Sequence, residues 1–129
     1  MADNGEFYSV FDQEFADKMG ELCKLGDYIL PNTTEACFLL HKPWKPDFTK
    51  DEMIEMAKKV SAISENFVIK IPAIEGGITA ARKLEKMGIR TNVTLIFSPS
   101  QAILPAKNGS LFVSPFIGWK EANGEDCKK

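Results

Sequence analysis

The stretch Phe67-Val68-Ile69-Lys70-Ile71-Pro72 constrains the fold more than any other. Its apolar residues are Phe, Val and Ile, which favour a pleated, buried strand. Pro72 has no N–H to give to a sheet ladder, so the strand is expected to stop there. A parallel strand covered on both faces reads as an unbroken apolar run, and this one does except at Lys70. Alternation puts Val68 and Lys70 on one face and Phe67, Ile69 and Ile71 on the other. A lysine on a covered face is rare, because loss of water disfavours the ammonium. The same loss of water makes a neutral amine available to attack a carbonyl carbon. The alternative is a lysine at a strand end that snorkels to water or pairs with a carboxylate.

The rest of the chain supplies a rhythm around that strand. Val10 to Leu25 reads as a helix, with Phe11, Phe15, Met19 and Leu22 at helical steps. Tyr28-Ile29-Leu30 reads as a short strand broken by Pro31, and Thr33 to Leu40 as a longer one carrying Glu35, Cys37 and Leu39 on one face. Lys50 to Ser64 reads as a helix, with Thr49 and Glu52 in a capping-box pattern. Glu75 opens a third helix that Gly88 closes, and Arg90 to Phe97 is the next strand. Ser98 caps a fourth helix with Pro99 in its first turn, and Leu111 to Phe116 is the last strand. Strands alternating with helices in this way predict βαβ units and a parallel sheet. At 129 residues the chain is long enough for one domain with a core, and its ends, 1–9 and 119–129, are expected to fray.

Composition narrows the function. The net charge of −2 and the absence of basic clusters argue against nucleic acid as a partner. No apolar run is long enough to span a membrane. Cys23, Cys37 and Cys127 are odd in number and widely spaced, the pattern of reduced thiols in a cytoplasmic protein. His41 is the only histidine, and no metal-ligand spacing occurs. The double glycine Gly76-Gly77 lacks the spacing of a phosphate-binding loop.

Polar residues on the inner strand faces then need a reason. Lys70, Glu35, Asn92, Thr94 and Ser114 are those residues, on different strands. An amine, a carboxylate, an amide and two hydroxyls can run carbonyl chemistry. The lysine forms an iminium with a ketone, and the iminium draws electrons from a neighbouring C–C bond. Glu35 and Thr94 could hold a water that moves protons, while Asn92 and Ser114 bind substrate hydroxyls. Each of these residues, taken singly, also has an ordinary structural reading.

The run VIKIP, then GITAARKLEKMGIRTNVTLIFSPSQAILPAKNGSLFVSPFIG, resembles the transaldolase and fructose-6-phosphate aldolase family. The stretch DEMIEMAKKV resembles the helix that precedes the lysine strand in that family. The resemblance implies a partial (β/α)8 barrel, about four parallel strands with about four helices, corresponding to strands three to six. It implies that Lys70 is the Schiff-base lysine and that Thr94, with Glu35, holds the catalytic water. By the same likeness Asn92 and Ser114 are substrate-binding. Phe116 stands where the transaldolase branch has phenylalanine and the aldolase branch tyrosine, which favours transfer of a dihydroxyacetone unit over simple aldol cleavage. The implied substrate is a sugar phosphate of carbohydrate metabolism, and the implied mechanism needs no cofactor.

The sequence also departs from the family. Trp119 occupies the place of an arginine that helps bind phosphate, and a tryptophan cannot pair with phosphate. The first-strand aspartate has no counterpart, and the residues cover too little for a closed barrel. Three readings are open. The chain is a transaldolase-type enzyme with impaired turnover, or a non-catalytic half-barrel, or an unrelated α/β binding module with a structural lysine. In the first two, open sheet edges invite self-association or a complementing chain.

Overall fold

The computed structural model describes residues 1–127; part of the tail expected to fray, Lys128 and Lys129, lies outside them. The N-terminal end is ordered, contrary to the expected fraying. Strands β1 (Ala2–Asp3) and β2 (Glu6–Phe7) pair antiparallel. Asn4 and Gly5 join them at φ 49° and 85°, the left-handed conformation that an Asn-Gly hairpin turn requires. Contacts with residues some 30 positions further along the chain anchor the hairpin. Gly5 N–H donates to Thr34 Oγ1 at 3.1 Å, and Phe7 stacks on Phe38.

Helix α1 (Gln13–Leu22) is shorter than its periodicity predicts. Asp12 caps it by accepting from Phe15 N–H at 2.8 Å, so Val10 is left outside, and Cys23–Leu25 tightens into a 3-10 turn.

The largest correction concerns residues 33–40. They form a helix, α2 (Thr33–Leu39), and not a strand. Asn32 Oδ1 accepts from Glu35 N–H at 2.8 Å, and Glu35 Oε2 accepts from Asn32 N–H at 3.0 Å. This reciprocal capping box satisfies two free donors and starts a helix. The apolar run after it fits either period, so alternation alone misled.

Helix α3 (Lys50–Ser61) begins at the expected Thr49–Glu52 capping box. Strand β3 (Ile69–Pro72), helix α4 (Glu75–Lys86), strand β4 (Thr91–Ile96), helix α5 (Pro99–Lys107) and strand β5 (Phe112–Pro115) then alternate as predicted. A short helix, α6 (Ile117–Ala122), comes next and runs into the stretch from Trp119 that was expected to fray. The three strands form a parallel sheet in the order β3-β4-β5. The Tyr28–Leu30 strand is reduced to one parallel bridge, Ile29 to Phe67, with Val68 N–H donating to Ile29 O at 2.8 Å. The sheet is open, a segment of an α/β barrel and not a closed one.

The core lies on one side of the sheet. Ile71, Val93 and Ile96 pack against Ile54 and Ala57 of α3 and Ala80, Ala81 and Leu84 of α4. Leu84 is fully buried, so truncating it to alanine should cost about 2–5 kcal/mol. Gly77 lets α4 sit this close. A Cβ there would lie 2.1 Å from Pro72 O, so only glycine permits the approach. A second cluster, Cys23, Ala36, Val60 and Phe67, seats α2 and α3 below the first. Among the described residues no helix is long and apolar enough to cross a membrane.

Candidate active site

The site is built by strand register. Lys70 pairs with Asn92, Pro72 with Thr94, Asn92 with Phe112, and Thr94 with Ser114. Register partners in a parallel sheet present their side chains to the same face. Lys70, Asn92, Thr94, Phe112 and Ser114 therefore share the face opposite the helical core, with Thr94 and Ser114 toward the carboxyl ends of their strands. That end is where α/β proteins carry their sites.

Asn92 is 3% exposed and Thr94 7%, so both are covered polar side chains. Ser114 Oγ donates to Asn92 Oδ1 at 2.8 Å. Thr94 Oγ1 is buried without a hydrogen-bond partner among the described residues. An unpartnered buried hydroxyl is costly in a folded protein. Lys70 is half-buried and lines a narrow cleft of about 30 Å³ with Asn32, Thr33, Met53 and Met56.

Glu35 is not part of this arrangement. Its carboxylate closes the α2 capping box and takes an ion pair from the Met1 amino group at 2.9 Å. The strand that was expected to bring it beside Lys70 does not exist, because the capping box turns residues 33–39 into a helix. Its neighbours in a separate cleft are Met1, Met19, Cys23 and Leu39.

Phe116 stands at the N-cap of α6 with its ring 5.4 Å from that of Phe97. Trp119 makes an edge contact with the same Phe97 ring, also at 5.4 Å, and is exposed. Lys120 is held beside them, donating to Phe97 O at 2.8 Å and pairing with Glu125 at 2.7 Å. The Glu125 carboxylate raises the Lys120 ammonium above its ordinary range. Phe97 is the hub of this aromatic wall and was not singled out from sequence; its place in the apolar run LIF was the only signal. Tyr28 was also missed. It makes an edge contact with Phe112 at 5.6 Å and lies under the Arg90 guanidinium.

Strand β4 is irregular just past Thr94. The pairing shifts between Thr94 and Ile96, and Leu95 has φ 60°. Regular alternation would put Ile96 on the face of Asn92 and Thr94, with Leu95 and Phe97 opposite. The bulge reverses this, since one extra residue flips every later side chain. Ile96 is buried in the helical core and Leu95 is exposed at the rim. Among the described residues no cluster of His, Cys, Asp and Glu could ligate a metal.

Comparison with known proteins bears on this geometry. The family model described as transaldolase/fructose-6-phosphate aldolase matches residues 45–128, more than half of the chain. A 6-deoxy-6-sulfo-D-fructose transaldolase of Priestia aryabhattai is 59% identical over 80 residues, covering 62% of this chain and 35% of that protein. A protein of Dictyoglomus turgidum named "Probable transaldolase" is 42% identical over 107 residues, covering 83% of this chain and 45% of that protein. The chain thus spans less than half the length of these relatives.

Proposed function

Because the chain belongs to the transaldolase/fructose-6-phosphate aldolase family, we propose that it carries the imine-forming part of a transaldolase-type site. The observation that carries this reading is the register that sets Lys70, Asn92, Thr94 and Ser114 on one face.

In this reading the Lys70 amine attacks the ketose carbonyl carbon, and the carbonyl oxygen takes a proton. Loss of that oxygen as water leaves an iminium on Lys70. The iminium accepts the electron pair of the C–C bond between its α and β carbons while the β-carbon hydroxyl gives its proton to water, releasing an aldose and leaving an enamine of three carbons. The enamine then adds to a second aldehyde, and water frees the new ketose. Thr94 Oγ1, free of protein partners, orients the water that carries protons between these steps. Asn92 has its oxygen occupied by Ser114, so its amide N–H groups are the end available to substrate oxygens. Glu35 takes no part.

The substrate is a ketose with an anionic end. A sugar phosphate fits the family reading. The named activity of the 59% identical relative supports a sulfonated ketose as a second reading, and Trp119 at the phosphate arginine's place is compatible with it. The free edge of β5 is where a complementing chain or a second copy would pair. The reduced cysteines fit a cytoplasmic setting.

The test is chemical trapping. Incubation with dihydroxyacetone, fructose 6-phosphate or 6-deoxy-6-sulfofructose, followed by borohydride, should leave a mass adduct on Lys70 and none in Lys70→Met. No adduct, or one that survives that substitution, refutes the reading.

A further inference from the structure

We propose that the β-bulge at Leu95 sets the length of ketose that reaches Lys70. The inference rests on the imine reading above, and it concerns a residue to which that reading gives no role.

Without a bulge, the face that carries Asn92 and Thr94 would continue with the next alternate residue, Ile96. A branched four-carbon side chain would then stand directly past Thr94 at the carboxyl end of the sheet. The bulge removes it. Ile96 turns to the other side and is 2% exposed among Ile71, Val93 and Leu84. Leu95 absorbs the extra residue at φ 60°, a conformation uncommon for any residue but glycine, asparagine and aspartate. The irregularity is held from both sides. Ala73 N–H donates to Thr94 O at 2.8 Å, and Phe116 N–H donates to Ile96 O at 2.9 Å. Neighbouring strands thus hold an unfavourable conformation in place.

The effect is local to the direction in which a bound ketose extends. Its carbonyl carbon sits at Lys70, level with Asn92, and Thr94 lies one face position further on. Carbons past the cleaved bond run toward the rim, over the place that Ile96 vacates. A three-carbon ketone ends before that point. A six-carbon ketose does not.

Three substitutions test this. Leu95→Gly keeps the bulge, because glycine adopts positive φ freely. Leu95→Ile opposes it, because a branched Cβ disfavours that region. A regular strand through position 95 puts Ile96 past Thr94. Adduct on Lys70 is measured by borohydride trapping and mass spectrometry, per folded protein, with dihydroxyacetone and with fructose 6-phosphate. Leu95→Gly should leave the ratio of six-carbon to three-carbon adduct unchanged. Leu95→Ile should lower it about tenfold. Adding Ile96→Gly to Leu95→Ile should restore it. A ratio that stays constant in folded Leu95→Ile overturns the proposal, as does a loss that Ile96→Gly does not relieve. If the unaltered chain traps neither ketone, the imine reading fails by itself. The gauge is then read with pyridoxal and borohydride, which label any reachable amine. Lys70 labelling should fall about tenfold in Leu95→Ile and recover with Ile96→Gly, and equal labelling in all of them refutes the gauge.

Discussion

Ser114 Oγ donates to Asn92 Oδ1 at 2.8 Å, so the last strand fixes which end of the central strand's amide is free. The bond is partly buried and joins β5 to β4 on the face of Lys70. Ser114→Ala should lower stability by about 1 kcal/mol, the net worth of such a bond. It should also lower adduct yield on Lys70 about tenfold, because the Asn92 amide can then rotate. Urea melts and borohydride trapping read the two effects separately. Loss of stability with full trapping would make the bond purely structural.

Thr94 gives the opposite sign. Its hydroxyl is buried and unpartnered, so Thr94→Val should raise stability by about 1 kcal/mol, by removing an unsatisfied group at equal volume. Turnover should fall in the same variant. A Thr94→Val protein that is both less stable and equally active would show that the hydroxyl has an ordinary structural partner.

Glu35 separates the helical reading of residues 33–39 from the strand reading. Glu35→Gln keeps the acceptor for Asn32 N–H and loses the ion pair with Met1. Stability should fall by at most about 1 kcal/mol, and trapping on Lys70 should not change. A collapse of trapping with an intact melt would return Glu35 to the site.

Acid should loosen α3 at its first turn. Hydrogen bonds from Lys45 and from Thr49 pull the Glu52 carboxyl from its ordinary 4.5 down to about 2. The folded value lies below the unfolded one, so the stabilisation is complete above about pH 4.5 and is lost as pH falls toward 2. Denaturant midpoints measured between pH 5 and pH 2 should fall less in Glu52→Gln than in the unaltered chain. The group is exposed, so added salt should shrink the difference.

Much of this architecture was legible because single residues carried a physical signal. Pro72 ends β3, Thr49 and Glu52 start α3, and Ser98-Pro99 starts α5. The repeat of two apolar strands was legible, but the pairing of Lys70 with Asn92 and of Pro72 with Thr94 was not, because apolar strands one repeat apart leave the register open. The signal for α2 was also present, since Asn32 and Glu35 have the spacing of a capping box, but an alternating reading of Thr33 to Leu40 hid it. Asn4-Gly5 is a hairpin signal of the same kind. Leu95 is different. Nothing in Thr94-Leu95-Ile96 announces a positive φ, because the neighbouring strands impose it through Ala73 and Phe116. Trp119 was noted only for what it replaces, and its contact with Phe97 depends on where α6 lands after β5.

The order of the strands in space is their order in the chain. Each strand therefore docks on an edge that already exists when it leaves the ribosome. β3 with α4 forms a platform, β4 extends it, and β5 completes the face of Lys70 last. Such local pairing within β3-β4-β5 keeps loop closure short and assembly fast. Residues that recognise substrate are gathered by this stepwise growth. The nucleophile is in place first, Asn92 and Thr94 second, and Ser114 locks the amide as the final strand arrives.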